Sequence, residues 1–186
     1  LEIEEQLDKI LDIAKTHNPV ELRRASDAAE AGRIWLGRKS AFGAMGQIND
    51  YMCLDGTIPV SQLPYVLRRI SELSAEFGLD VGNVFHAGDG NMHPLILYNA
   101  NKEGDLEKCE AFGAEILKLC VEVGGCLTGE HGVGIEKRDL MSVQFSALDL
   151  EAQMKIKDVF DPKWLLNAAK VFPLDATQSR RDGCPQ

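Results

Sequence analysis

The sequence predicts an α+β fold with a ferredoxin-like arrangement, in which helices pack on one face of an antiparallel sheet. Two observations lead to this prediction. Several segments carry apolar residues at the spacing of a helix, and short strand patterns that open into glycines lie between them. Read from Tyr51 onward, the order is strand, helix, strand, strand, helix, strand. A length of 186 residues suits one domain, which we expect to span residues 1–186.

Two helices are predicted before the first strand. The first runs from Leu1 to about Ala14, and its apolar residues recur at helical spacing: Ile3, Leu7, Ile10, Leu11 and Ala14. The second runs from about Ser26 to Ala41 with Ser26 or Asp27 as its cap, and we expect the glycines of GAMG to loosen the chain after it. Because Leu1 is not an initiator methionine and the helix starts in mid-pattern, we expect the chain to be an excised fragment.

The middle of the chain alternates strands and a helix. The segment YMCLDGTIPVSQLP predicts a short strand, a DG turn and a β-branched pair that Pro59 and Pro64 end. A helix with a C-cap at Gly78 follows, and its apolar face is Leu63, Val66, Leu67, Ile70, Leu73 and Phe77. The next strand is expected near Val81. The segment VGNVFHAGDGNMHPLILYN then predicts two strand pieces joined through HAGDGNMH by a bulge or tight turn.

Two helices and a strand complete the pattern. A helix is predicted from about Leu106 to Val123, and GGCLTGEHGVG then predicts a short strand that opens into glycines. Ser146 followed by Asp149 is a capping-box variant, which predicts a last helix over SALDLEAQMKIKDVF that stops at Asp161.

Charge and composition exclude several classes of function. The 29 acidic and 20 basic residues give a formal charge of -9, which repels a phosphate backbone, so we expect no nucleic-acid partner. Apolar runs are interrupted by charge within a few residues, and no basic segment precedes an apolar stretch at the N-terminus. We therefore expect a folded cytoplasmic protein or subunit.

The cysteines do not form a recognisable framework. Five are present, Cys53, Cys109, Cys120, Cys126 and Cys184, and no two make a CxxC pair. We expect them to be reduced. Cys109 and Cys120 fall within a helical pattern, where a cysteine usually acts as a small apolar side chain.

Three of the four histidines lie in glycine-rich segments. His86 and His93 flank the GDG of HAGDGNMH, and the flexible glycines allow a sharp turn that brings both imidazoles to one point. GEHG adds Glu130 and His131, of which one can bind a metal while the other faces a substrate. Two imidazoles and one carboxylate leave a coordination position open, and zinc, iron and manganese all suit them. From spacing alone, histidines that only donate hydrogen bonds in turns are an equal alternative.

Three blocks in this order resemble the C-terminal domain of FAD-linked oxidases, in particular the glycolate oxidase and D-lactate dehydrogenase group. They are HAGDGNMHP (His86 to Pro94), GEHGVGIEKR (Gly129 to Arg138) and DPKWLLNAAKVFP (Asp161 to Pro173). The upstream segment YMCLDGTIPVSQLP adds to the match. The resemblance covers nearly the whole chain, and three ordered blocks are far more specific than any one of them.

The resemblance implies roles for individual residues. His86, His93 and Glu130 match the family's metal ligands, and His131 matches its catalytic base. Arg38, in the stretch IWLGR, matches the arginine that engages the substrate carboxylate.

The end of the chain departs from the family pattern. Relatives usually have NPGK where this chain has NAAK, at Asn167 to Lys170. Asn167 and Lys170 remain and are predicted to contact the cofactor. The missing proline and glycine make a different turn geometry the expectation here.

The implied activity is oxidation of a small 2-hydroxy acid, glycolate or D-lactate, to the 2-oxo acid, with hydride transfer to FAD. The family's FAD-binding domain lies N-terminal to this segment, and no glycine-rich pyrophosphate loop follows a strand here. The chain alone is therefore expected to be inactive and to expose surface that the FAD-binding domain covers. Other implied partners are oxidase subunits, including an iron-sulfur subunit, through which the protein would associate with a membrane.

Two other functions are compatible with parts of the sequence. In a free-standing metal-dependent hydrolase, His86, His93 and Glu130 would hold a cation that activates water and His131 would shuttle the proton. In a ferredoxin-like binding module, the glycine-rich turns would be structural and the histidines would lie on the surface. Neither alternative explains all three blocks.

Overall fold

A computed structural model describes residues 2–177 of the chain, so Cys184 lies outside the described residues. The chain divides into two compact units, Leu1–Ala41 and Phe42–Gln186. Among the described residues, no helix has the length and apolar character needed to cross a membrane.

The first unit contains two helices, α1 (Glu2–Lys15) and α2 (Ala28–Lys39). Asp27 is the N-cap of α2, and its carboxylate accepts a hydrogen bond of 2.7 Å from the backbone N–H of Glu30. Neither helix has a fully buried side chain. The apolar face predicted for α1 is therefore largely exposed, as Ile10 illustrates with 60% of its surface accessible.

The second unit is a mixed helical and antiparallel β structure, which confirms the predicted α+β class. Its elements are α3 (Ala41–Gly46), β1 (Asp50–Cys53), β2 (Gly56–Thr57), α4 (Leu63–Phe77), β3 (Val81–Asn83), β4 (Asn91–Met92), β5 (Pro94–Tyr98), α5 (Asp105–Glu122), α6 (Met141–Gln144) and α7 (Ala147–Phe160). Strands pair in the order β1-β5-β3 in one sheet and β2-β4 in the other, and every pair is antiparallel.

The main core lies between α4, α5 and the three-stranded sheet. Val66 and Ile70 of α4, Phe112 and Ile116 of α5, and Ile96 of β5 are all buried there. Their spacing along each helix is the helical period that the sequence shows. Gly78 ends α4 in a left-handed conformation, as its position after the last periodic residue predicts.

The ferredoxin-like detail is not confirmed. Its fourth strand is expected in GGCL, but within residues 2–177 this segment forms only one bridge, between Cys126 and Thr57. Thr57 belongs to β2, which pairs with β4 and not with the three-stranded sheet. The glycines around Cys126 leave too short a run to extend the ladder.

A further difference concerns GAMG, which forms α3 where the sequence predicts a loosened chain. A tertiary contact explains the helix, because Met45 packs against Gly82 so closely that a Cβ there would lie 2.5 Å from the Met45 methyl carbon. Packing of this kind overrides the low helix propensity of glycine.

A second core forms beneath α7. Its buried members are Leu117, Leu127, Met141, Leu150, Met154, Trp164 and Phe172. Ser146 and Asp149 make the predicted capping box at the start of α7. At its end, the Asp161 carboxylate accepts hydrogen bonds of 3.0 Å from the N–H groups of Leu165 and Leu166, which fixes the turn that follows.

Candidate functional site

The two histidines of HAGDGNMH are brought together by a tight hairpin. The N–H of His86 donates to the carbonyl of Asn91 at 3.0 Å, and the N–H of Asp89 donates to the carbonyl of His86 at 3.0 Å. Gly90 has a φ of 70°, the left-handed conformation that glycine adopts without strain. As a result, the rings of His86 and His93 lie 5.6 Å apart and nearly perpendicular.

Asp55 holds the GEHG loop against this hairpin. Its side chain is fully buried between β1 and β2. The sequence predicts a DG turn here, but the chain stays extended in one register, since Cys53 pairs with Leu95 and Gly56 with Met92. The carboxylate accepts hydrogen bonds from the Thr128 hydroxyl at 2.7 Å and from the backbone N–H groups of Gly129, Glu130 and His131 at 2.9, 3.1 and 3.0 Å. A short segment of GEHG is thus anchored to a residue far away in the sequence.

Lys137 supplies the opposite charge. Its ammonium group is buried and donates to Asp55 Oδ2 at 3.1 Å, to the Asp55 carbonyl at 3.2 Å and to the Thr128 hydroxyl at 3.0 Å. Burial alone would raise the pKa of Asp55, but the Thr128 hydroxyl, the His131 and Glu130 amides and Lys137 outweigh it. The pKa of Asp55 therefore lies well below its ordinary value, and the carboxylate is ionised.

Four side chains converge where the hairpin meets the loop. Asp55, His93, Glu130 and His131 each offer a ligand atom, and these atoms lie within 4.8 Å of one another. His93 Nε2 is 3.1 Å from Glu130 Oε1 and 3.5 Å from Asp55 Oδ1, and the rings of His93 and His131 stack with centroids 5.1 Å apart. Asp55 and His93 are buried whereas Glu130 and His131 are exposed, so the group opens on one side.

The donor set fits a divalent metal ion. Within the described part of the chain, the buried Nε2 of His93 has no hydrogen-bond partner, although it faces two carboxylates. Two ligand atoms bound at about 2.0–2.2 Å to one cation with tetrahedral or octahedral angles are separated by roughly 2.8–3.6 Å. Burial, and then the neighbouring His131, lower the pKa of His93, which favours the neutral imidazole that binds metals.

The other predicted site residues lie in three different segments of the chain. His86 is beside His93 but outside the set of four. Arg38 is exposed in the last turn of α2, within the first unit. Asn167 and Lys170 are exposed in a turn closed by a hydrogen bond of 3.2 Å from the Lys170 N–H to the Asn167 carbonyl.

That turn is attached to the segment after GEHG. Arg138 donates to the carbonyl of Ala169 at 2.7 Å, and the N–H of Val171 donates to the carbonyl of Gly134 at 2.8 Å. Ala169, where relatives usually have glycine, has a φ of 61°. The second and third sequence blocks are therefore neighbours in space, and the departure from NPGK falls on a left-handed position.

Sequence reasoning missed Asp55 and Lys137. The sequence indicates only a DG turn for Asp55, because aspartate before glycine is typical of turns. Nothing nearby in the sequence marks it as buried, since its donors come from residues 128–137. Lys137 stands in the block GEHGVGIEKR, but a lysine in a polar run is usually solvent-exposed.

A cavity of about 710 Å³ opens beside His131. Its lining includes Tyr51, Cys53, Tyr98 and the segment 132–137. It is large enough for a small organic acid together with part of a larger ligand.

Comparison with known proteins places the chain among flavin-linked oxidases. A family model described as FAD linked oxidases, C-terminal domain, matches residues 1–171. The glycolate oxidase subunit GlcD of Escherichia coli (strain K12) is 48% identical over 173 residues, 92% of this chain and 35% of that protein.

Two further relatives extend the comparison. GlcD of Bacillus subtilis (strain 168) is 31% identical over 94% of this chain and 37% of its own length. The mitochondrial D-lactate dehydrogenase [cytochrome] of Kluyveromyces lactis is 30% identical over 93% of this chain and 31% of its own length. The chain thus spans about a third of the length of these relatives.

Proposed function

The chain belongs to the family of FAD-linked oxidase C-terminal domains, and from this premise we propose that it is the substrate- and metal-binding part of a flavin-dependent oxidoreductase. The substrate is a small 2-hydroxy acid, glycolate or D-lactate, which becomes the 2-oxo acid. One observation carries the proposal. Two glycine-rich loops from distant parts of the sequence bring His93, Glu130 and His131 together.

The proposed metal ligands are His86, His93 and Glu130. When bound, a divalent cation such as zinc, iron or manganese would polarise the substrate hydroxyl, and FAD would accept the hydride from C2. The unpartnered Nε2 of His93 and its 3.1 Å distance from Glu130 Oε1 support His93 and Glu130 as ligands. The perpendicular ring of His86 stands next to His93, where a change of rotamer can direct a nitrogen at the same point.

The remaining residues act on the substrate. His131 takes the hydroxyl proton on an imidazole nitrogen, since histidine exchanges protons readily near neutral pH. Its exposed ring borders the 710 Å³ cavity, from which the substrate can reach it. The guanidinium of Arg38 holds the substrate carboxylate with two parallel hydrogen bonds.

The rest of the enzyme supplies what this chain lacks. An N-terminal domain binds FAD, which agrees with relatives that are about three times as long as the matched region. Asn167 and Lys170 are the residues of this chain that contact the flavin. The protein works in the cytoplasm and reaches a membrane only through partner subunits, among them an iron-sulfur subunit.

Metal binding by the full chain tests the site. The protein is first freed of metal with a chelator that is then removed. It is titrated with Zn²⁺ or Mn²⁺ in a calorimeter, alongside the variants His93→Ala and Glu130→Gln. We expect each variant to lose more than about 100-fold in affinity, beyond the range typical of groups that only support ligands. His17→Ala is the matched control, because His17 is exposed in the first unit. Equal affinity in all four proteins would contradict the site.

Flavin reduction tests the reaction. The FAD-containing protein that includes this chain is mixed anaerobically with glycolate or D-lactate, and the flavin absorbance is followed. We expect bleaching with at least one of the two acids. An unreduced flavin, combined with metal-dependent ester hydrolysis by the chain alone, would instead establish the hydrolase.

A further inference from the structure

Asp55 is the point at which the site's hydrogen bonds converge. Five donors reach its carboxylate: the Thr128 hydroxyl, the N–H groups of Gly129, Glu130 and His131, and the ammonium of Lys137. The side chain has 0% of its surface exposed. So many donors on one buried carboxylate leave it little freedom to move.

The three backbone donors are consecutive, and this determines where two side chains point. When the N–H groups of residues 129, 130 and 131 all aim at one carboxylate, the intervening peptide planes are fixed. The Cα–Cβ directions of Glu130 and His131 follow from those planes. Asp55 therefore sets the orientation of Glu130, the proposed metal ligand, and of His131, the proposed base. Asp55 itself lies outside both glycine-rich segments.

Gly129 permits this close approach. A Cβ at that position would lie 2.9 Å from Asp55 Oδ1 and 2.6 Å from Asn91 Oδ1. Any other residue would push the loop away from the carboxylate. The glycine of GEHG is thus explained by the close approach of both Asp55 and Asn91.

The positive charge of Lys137 stabilises the buried carboxylate of Asp55. A buried carboxylate without a counter-charge is strongly unfavourable, and the Lys137 ammonium, itself 4% exposed, lies 3.1 Å from Oδ2. It also donates to the Thr128 hydroxyl, which in turn donates to Asp55. The three side chains form one closed network.

We propose that the buried Asp55–Lys137 pair is a positioning device that sets the orientation of Glu130 and His131 for metal binding and proton transfer. The inference rests on the proposed function of the site. Asp55 acts through the backbone of the loop, so its effect is present before any metal binds.

Amide hydrogen exchange of the metal-free full chain tests this directly. In Asp55→Asn, we expect the amides of residues 129–131 to exchange at least about tenfold faster than in the parent protein. The control is Asp105→Asn, because Asp105 is also buried and paired with a lysine, Lys102, at 2.7 Å. We expect that control to leave these three amides unchanged.

Metal affinity gives the functional readout. Titration with Zn²⁺ or Mn²⁺ should show a loss of about 10- to 100-fold in Asp55→Asn, the range typical of groups that orient metal ligands. Asp105→Asn should stay within about twofold of the parent protein. If affinity falls while the exchange of residues 129–131 is unchanged, Asp55 acts as a ligand, and the positioning role is wrong.

A milder pair of variants covers the case in which Asp55→Asn does not fold. Thr128→Val removes one donor from the network, whereas Thr128→Ser retains the hydroxyl. We expect faster exchange and about 3- to 10-fold weaker metal binding in the valine variant, and recovery of both in the serine variant. If the valine variant matches the serine variant in both measurements, the inference is overturned.

Glu130→Gln separates this inference from the proposed function. If Glu130→Gln binds metal as tightly as the parent protein, the metal site itself is wrong. If Glu130→Gln loses the metal but Asp55→Asn and Thr128→Val do not weaken binding, the site stands and only the positioning role fails.

Discussion

The carboxylate of Asp55 accepts a hydrogen bond of 3.0 Å from the backbone N–H of His131, a residue 76 positions further along the chain. The contact joins the extended connection between β1 and β2 to the loop that carries the proposed base. Both partners stand in short, glycine-containing segments that have little intrinsic structure. The geometry of the site therefore depends on long-range contacts, and substitutions that disturb them should be measurable.

Gly90 and Gly88 form a matched pair within the hairpin. At Gly90, a Cβ would lie 2.1 Å from the carbonyl oxygen of Ile58, and the φ of 70° disfavours other residues. At Gly88, nothing lies within 4 Å of the added atom. We expect Gly90→Ala to lower the free energy of unfolding by about 2–4 kcal/mol and Gly88→Ala to change it by less than about 0.5 kcal/mol. Urea unfolding measures both, and equal midpoints would contradict the left-handed conformation of Gly90 and its contact with Ile58.

Ala169 occupies a left-handed position where relatives usually have glycine. Because this conformation costs an L-residue roughly 1–2 kcal/mol, we expect Ala169→Gly to raise the free energy of unfolding by about 1 kcal/mol. The control is Ala152→Gly on the exposed face of α7, which should lower it by about 1 kcal/mol. Thermal unfolding of the two variants should shift in opposite directions. A lower melting temperature for Ala169→Gly would mean that the turn is not strained.

Much of the fold could be predicted because its signals are local. α4, α5 and α7 begin and end within a residue or two of the predicted bounds, since helical periodicity, the αL glycine at Gly78 and the Ser146 capping box all act over a few residues. The missing fourth strand is the counter-example. Whether GGCL pairs over several residues depends on its neighbours and not on its own pattern.

The residues of the site also divide into those that a local sequence pattern predicts and those that depend on long-range contacts. The GDG turn that joins His86 to His93 is a local feature, and the structure has it. The network of Asp55 and Lys137 is not local, because each residue's burial depends on the other's position. Burial of a charged pair has no periodic signature, so a single sequence does not reveal it.

The cysteines of α5 should resist modification. Burial raises the pKa of Cys109 to about 11 and that of Cys120 to about 12, so near pH 8 almost no thiolate is present. Cys53 and Cys126 are only partly buried. We expect iodoacetamide to label Cys126 in the native protein, and Cys53 more slowly because burial also raises its pKa. In urea, we expect all five cysteines to be labelled. Mass spectrometry of the digests reports each site, and rapid native labelling of Cys120 would contradict the described core.

The proposed base and the proposed carboxylate clamp should give different kinetic signatures in the FAD-containing protein. A general base acts on a proton that moves only in the transition state, and it typically contributes about 10² to 10⁴ in rate. His131→Asn should therefore slow flavin reduction by about that factor with little change in substrate binding. Arg38→Met should chiefly weaken binding, because a carboxylate clamp also holds the ground state.

Anaerobic stopped-flow reduction separates the two effects, since the plateau rate at saturating 2-hydroxy acid reports chemistry and the half-saturation concentration reports binding. The metal content of His131→Asn must be measured in the same preparation, because His131 lies within 4.8 Å of the other candidate ligands. Full metal content with slow reduction supports the base. Loss of the metal would instead identify His131 as a ligand. Flavin reduction at the parental rate would exclude His131 both as base and as ligand, and the substrate hydroxyl would then lose its proton by another route.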